Sequence, residues 1–259
     1  MSGGEISCNT NIGARSAAVD VRGENNRGPA VFVMTGGVIS NNCQLATSNV
    51  KGGAGLVVNP NNLSTNRCRA ALLGGKICNN ISAGGPGGIL YAGNQSLSIG
   101  GSLIVSDNHS GTQLSNLTIP ANTPLWIEEP LTGDVGVTPA TTTAGSVLAN
   151  NASASDELKF SMDTISSGLY PNYDPTASTI KLGTDVPLPI AICDLTDNEN
   201  GTYSVTVKSF AQVAAEVQIY SAPADRGDGT WDYVSSSQDI AAGETKTITI
   251  NKIANATNV

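Results

Sequence analysis

Two short clusters carry side chains able to do acid–base chemistry. Asp20, Arg22 and Glu24 sit at alternate positions, which on a strand brings them to one face, and Asp107-Asn108-His109 closes a second segment. Two carboxylates flanking a sugar linkage cleave it as acid and base, or as acid and nucleophile. Grouped carboxylates also hold calcium, and an Arg or Lys beside them abstracts a proton. All of these chemistries need several convergent groups, and neither cluster has a second copy aligned with it. His109 is the only histidine, so a serine triad and a multi-histidine metal site are excluded; a polar corner residue is the simpler reading. Glu128 and Glu129 follow Trp126-Ile127, and because adjacent strand residues face opposite sides, one of the two must meet solvent. Both read as a solvated edge. The residues therefore predict no catalytic centre, bound metal or cofactor.

Binding groups are easier to find. Thr, Asn and Ser are abundant and only 13% of residues are charged, and neutral hydroxyls and amides on a rigid frame suit carbohydrate. Aromatic platforms are few, with 3 Phe, 2 Trp and 6 Tyr; the candidates are Trp126, Tyr91, Tyr170, Tyr173 and Trp231. Arg226-Gly227-Asp228 resembles the integrin-binding tripeptide of extracellular matrix proteins and falls in a hairpin loop, although Asp225-Arg226-Gly227-Asp228-Gly229 is also good turn chemistry. Asp194, Asp197, Asn198, Glu199 and Asn200 offer oxygens for calcium but lack the spacing of a calcium loop.

The elements that must position these groups repeat along the chain. Gly36-Gly37-Val38-Ile39-Ser40-Asn41-Asn42 has degenerate copies at Gly3, Gly74 and Gly100. A recurring unit that cannot bury its own apolar face must stack on its neighbours. A second strand signal alternates with the first, at Gly28 to Val33, Gly53 to Val58 and Gly87 to Tyr91. Glycine permits corners with positive φ, and Asn tolerates the left-handed region and can hydrogen-bond its stacked copy. Between corners, Ile6, Ile39, Ile77 and Leu103 are expected to point inward and stack in rows.

Thr35-Gly36-Gly37-Val38-Ile39-Ser40-Asn41-Asn42 resembles the repeat of right-handed parallel β-helix surface proteins of gut and other bacteria, T-G-G-x-I-S-x-N followed by G-G-x-x-V. Leu117-Thr118-Ile119-Pro120 and Pro130 to Thr138 look like the terminal coil of those arrays, and Ala154 to Phe160 like the segment that follows it. The resemblance covers roughly two thirds of the chain and implies a solenoid; insertions at 10–28 and 59–71 depart from its pattern. A helical turn over 153–162 with Ser155 as N-cap and Asp156 and Glu157 at its positive end would cap it. Loop is expected over 170–175 and a last strand over 179–182.

Pro187-Leu188-Pro189 marks a boundary. Beyond it, alternating stretches at 190–194, 202–207, 215–220, 231–234 and 245–250, with hairpin turns at Asn200-Gly201 and Asp228-Gly229, predict a small antiparallel sheet or sandwich. The fold expected is thus all-β: a right-handed parallel β-helix with a cap over 1–185, then a β-sandwich-like domain over 186–259. Five cysteines without C-x-x-C spacing argue against a zinc site and fit buried free thiols better than disulfides.

A net charge of -8 gives no footprint for nucleic acid, and no apolar run approaches the ~20 residues of a membrane span. Met1-Ser2-Gly3-Gly4 enters a repeat without a leader, and a partial coil at residue 3 is expected to belong to a longer chain. The reading is an extracellular stalk or adhesin segment of a bacterial surface protein, presenting its faces to a glycan or a host surface protein. Its rivals are a polysaccharide lyase or hydrolase, with acidic side chains converging from three or more coils, and a phage tailspike-like trimer.

Overall fold

The computed structural model describes residues 1–13, 15, 18–22, 30–47, 53–59, 68–91, 97–164, 168–184, 190–209, 215–217, 219–221, 232–233, 238–241 and 244–251. Almost every element in them is a strand. The chain forms two compact units, Met1–Val186 and Pro187–Val259. Among the described residues no helix is long and apolar enough to cross a membrane.

In the first unit the glycine pairs govern how strands meet. Val31–Ser40 and Arg69–Cys78 are ten-residue strands that carry the pair in mid-strand. Gly37 and Gly75 both have φ +89°, a conformation open to glycine at no steric cost, so the strand jogs there without ending and the register shifts. A Cβ on Gly36 would lie 2.6 Å from Ser2 O, and one on Gly74 2.7 Å from Thr35 O; the missing side chain lets the neighbouring backbone in.

Pairing is mostly parallel. Ser2–Ser7 pairs with Val31–Ser40, and that strand with Arg69–Cys78. The first half of Arg69–Cys78 then pairs with Leu97–Gly101 and the second with Ile104–Ser106. The first branch continues through Leu125–Leu131 to Val147–Asn150, the second through Val135–Pro139 to Phe160–Met162. Another row runs Val19–Arg22, Leu56–Asn59, Ile89–Tyr91, Leu117–Ile119 and Val135–Pro139. A row of two-residue strands joins Thr10–Asn11, Cys43–Gln44, Ile81–Ser82 and His109–Ser110.

Register stacks like on like. Ile6, Ile39, Ile77, Val105, Val135 and Phe160 are successive partners, and all but half-buried Ile6 are buried. Leu56, Ile89, Leu117 and Val137 form a second such row. Each such side chain contributes about 1.5–3 kcal/mol by leaving water.

A column of side-chain amides runs beside these rows. Asn9 Nδ2 donates to Asn42 Oδ1 at 2.9 Å, Asn42 to Asn80 at 2.9 Å, Asn80 to Asn108 at 2.8 Å and Asn108 to Asn116 at 3.0 Å. The backbone N–H of each donor residue shares the same oxygen. Asn116 then donates to Asp163, its amide to Oδ1 at 2.5 Å and its backbone N–H to Oδ2 at 2.7 Å. Each Nδ2 donates onward to the next member, those of Asn42, Asn80 and Asn108 also donate back to Ile6 O, Ile39 O and Ile77 O, and the last acceptor is the Asp163 carboxylate. The residue before each of the first four amides takes φ near +57°: Cys8, Asn41, Asn79 and Asp107. The first residue of each pair thus turns the chain, and the Asn after it bonds to its neighbours.

Four expectations are corrected. Leu103 is buried as expected, but Val105 and not Leu103 pairs with Ile77, because the fourth copy carries two extra residues between its glycines and its Asn. The stretch 10–28 is not simply an insertion, since Thr10–Asn11 and Val19–Arg22 pair within the parallel rows. Only Ala154–Glu157 is helical and Ser153 is its N-cap; buried Asp156 accepts the backbone N–H of Ser153 and of Leu131 at 2.7 Å each, and Phe160–Met162 leaves to pair with Val135–Pro139. Tyr170–Asp174 is a strand, antiparallel to Thr179–Gly183, and tolerates Pro171 because it is an edge.

In the second unit Ile190–Asp197, Thr202–Ser209 and Thr245–Asn251 form an antiparallel sheet. Ala215–Val217 pairs with Gln238–Ile240, and Tyr220–Ser221 with Asp232–Tyr233. Val205, Val207, Val217, Ile219, Ile240, Ile248 and Ile250 are its core.

Candidate functional site

One groove brings together an aromatic ring, a cation, a carboxylate and a hydroxyl. It lies on the outer face of the parallel row, encloses about 390 Å³ and is lined by Val31, Arg69, Ala70, Ala71, Ser98, Trp126 and Glu128. Register explains the grouping: Val33, Ala71, Ser98, Trp126 and Asn150 are successive partners across five strands. Strands in such a row stand about 4.8 Å apart, so the line is a track with a small residue at its middle and Trp126 toward one end. Val31 and Arg69 are partners two residues away along the strands, on the same face, and Glu128 lies two residues beyond Trp126. Ser98 Oγ donates to Glu128 Oε2 at 2.7 Å, which holds that carboxylate over the track.

Trp126 is 49% exposed although Leu125 and Ile127 on either side are buried. A large ring left in water on a rigid strand is ready to stack. The Arg69 guanidinium presents several donors in a fixed fork and the Glu128 carboxylate accepts, so the groove can bind a ligand carrying both hydroxyls and an apolar face. Glycosidic cleavage needs two carboxyl groups about the scissile bond, and among the described lining residues Glu128 is the one carboxylate.

The other sequence candidates are scattered. Tyr91 is wholly buried in the core, which corrects its assignment as a surface platform: it continues the apolar Ile89–Tyr91 strand and points inward with Ile89. Tyr170 and Tyr173 are half-buried on one strand, and Tyr173 packs on the core. Trp231, Arg226, Gly227 and Asp228 lie outside the described residues, as does Glu24. Asp20 and Arg22 form an ion pair at 2.7 Å. His109 Nδ1 lies 3.1 Å from Asp107 O, within a corner. Asp197 Oδ1 accepts Glu199 N at 2.8 Å and Asn200 Oδ1 accepts Thr202 Oγ1 at 2.6 Å, so these oxygens shape the hairpin. Among the described residues no three His, Cys, Asp or Glu side chains gather to hold a metal ion.

Arg69 was missed because it precedes the recurring glycine motif, and Glu128 because its edge position looked merely solvated. Only strand register places both beside Trp126. No protein-family model matches this sequence, and no curated protein or solved structure shows significant similarity to it.

Proposed function

We propose that this chain is a non-enzymatic segment of a bacterial surface protein, a stalk or adhesin that binds glycan on the Trp126 groove. In this reading the parallel rows are the faces of a right-handed parallel β-helix, the second unit is a sandwich-like module, and the protein acts outside the cell. The stacked register of Ile6 to Phe160 and the column from Asn9 to Asp163 support the helix. The observation that carries the function is exposed Trp126 in one groove with Arg69 and the Ser98-held Glu128. Such a site needs no moving parts, because strands fix its side chains within the sheet.

The test is a glycan-array screen with mass-spectrometric analysis of products, using the intact chain and Trp126→Ala. Binding without cleavage, lost in Trp126→Ala, is the expected result. Binding that survives the substitution removes the groove from the reading, and cleavage of any glycan replaces adhesin by enzyme.

A further inference from the structure

The hairpin between Ile190–Asp197 and Thr202–Ser209 turns through Asn198, Glu199, Asn200 and Gly201, and its tip holds the one Asn-Gly pair in the chain. Asn200 and Gly201 are both exposed. Thr202 donates twice to Asn200 Oδ1, from its backbone N–H at 3.2 Å and from Oγ1 at 2.6 Å. An asparagine bonded to the backbone two residues on folds its side chain over the peptide unit between them, which keeps Asn200 Cγ close to the nitrogen of Gly201.

Three atoms here have what an intramolecular substitution needs. The electrophile is Asn200 Cγ, and two donors aimed at its oxygen are the arrangement that stabilises the oxyanion of a tetrahedral intermediate. Asn198 Nδ2 donates to Thr202 Oγ1 at 2.9 Å, which leaves the hydroxyl proton for Oδ1. The nucleophile is Gly201 N, whose N–H donates to no acceptor among the described residues. No side chain shields it: Gly201 has φ +88°, and a Cβ there would meet nothing within 4 Å. The leaving group is Asn200 Nδ2, which likewise has no acceptor among the described residues. The asparagines of the column are the opposite case. Asn80, Asn108 and Asn116 are buried, their Nδ2 groups are bonded, and Ile81, His109 and Leu117 crowd the next nitrogen.

We propose that Asn200 is a self-modifying site, at which the chain converts its own amide to a carboxylate through a cyclic imide. Hydroxide removes the Gly201 N–H proton, and the nitrogen's electron pair forms a bond to Cγ while the carbonyl electrons move to Oδ1, where the Thr202 donors hold them. The Cγ–Nδ2 bond then breaks, and ammonia leaves with a proton taken from water. A water molecule opens the imide at either carbonyl, giving aspartate or isoaspartate at position 200. The net reaction consumes water, releases ammonia and oxidises nothing. Both products add a negative charge to the tip. Isoaspartate also lengthens the backbone inside the turn that Asn198 N–H closes on Thr202 O at 3.1 Å. This inference is independent of the glycan reading.

The test is incubation of the full chain at pH 8 and 37 °C, followed by peptide mapping with mass spectrometry and chromatographic separation of the aspartate and isoaspartate products. The free peptide of residues 197–203 runs beside it as the reference for the bare sequence. Asn200 should convert ahead of every other asparagine, and faster at pH 9 than at pH 7. Asn200→Gln, which would need a larger ring, should show no conversion at that position. Thr202→Val removes the donor at Oδ1 and should slow conversion about fivefold, what one hydrogen bond of ordinary strength is worth. An amide kept at Asn200 while the free peptide converts, another asparagine converting first, a rate indifferent to pH, or Thr202→Val reacting as fast as the parent would each overturn the proposal.

Discussion

Replacing Asn80 by Asp changes one group and tests the whole amide column. Asn80 is fully buried, and its Nδ2 donates to Asn108 Oδ1 at 2.8 Å, Ile39 O at 3.0 Å and Cys78 O at 3.1 Å. In Asn80→Asp all three acceptors face a carboxylate oxygen. Its two N–H groups, one of them shared between two acceptors, contribute about 2 kcal/mol at about 1 kcal/mol per bond, and an uncompensated buried charge raises the loss to at least about 4 kcal/mol at pH 7. At about 2–4 °C per kcal/mol, the melting temperature falls by roughly 8–16 °C. The sign with pH is fixed: burial raises the pKa of the new carboxyl in the folded state above its unfolded value of about 3.9. Its penalty is therefore full at neutral pH and shrinks as pH falls toward that value, where a protonated carboxyl regains one donor. Thermal denaturation by circular dichroism at pH 7 and pH 4.5, each against the parent chain, measures both. Asn9→Asp, at the exposed end of the column, should cost under about 1 kcal/mol. A loss below about 1 kcal/mol for Asn80→Asp at pH 7, or one that does not change with pH, would refute the buried-donor reasoning.

Gly75→Ala places a Cβ 2.6 Å from Gly37 O at φ +89° and should cost about 3 kcal/mol or more, while Gly4→Ala, with open space around it, should cost only the left-handed backbone strain of about 1–2 kcal/mol; urea midpoints compare the two. The Lys181 ammonium, bonded to Asp174 at 2.8 Å, together with the Thr176 and Ala177 N–H groups, holds the Asp174 carboxyl below its usual range. That stabilisation is present above the unfolded carboxyl's pKa and is lost as pH falls through the folded one, so Lys181→Met should narrow the gap in melting temperature between pH 7 and pH 3. Burial pushes the Cys78 thiol up, against a smaller opposing effect from Lys76. Exposed Cys8 should therefore react with an aromatic disulfide reagent at pH 8 well before Cys78, which should wait for denaturant; equal rates would place Cys78 at the surface.

The sequence by itself determined the class of fold and the turns at its recurring asparagines, whereas the glycine pairs expected at corners lie in mid-strand. Low charge, alternating strands and the recurring Gly-Gly to Asn-Asn pattern specify stacked β units, because glycine and asparagine are the residues that enter the left-handed region cheaply. Ile39 and Ile77 were legible as buried partners for the same reason: each copy presents them at the same step of the pattern. What tertiary structure decided were the relations between copies of unequal length. Val105, not Leu103, continues the row of Ile77, and Val31 to Val33 belong to the glycine strand and not to the row of Leu56 to Val58; parallel register is set by neighbours dozens of residues away. Asn116 and Asp163 join the amide column from outside the motif, and no local pattern marks them. The candidate site was legible only as Trp126. Arg69, Ser98 and Glu128 reach it from three strands, and a groove that spans strands exists only once hydrogen bonds have fixed which residues lie side by side.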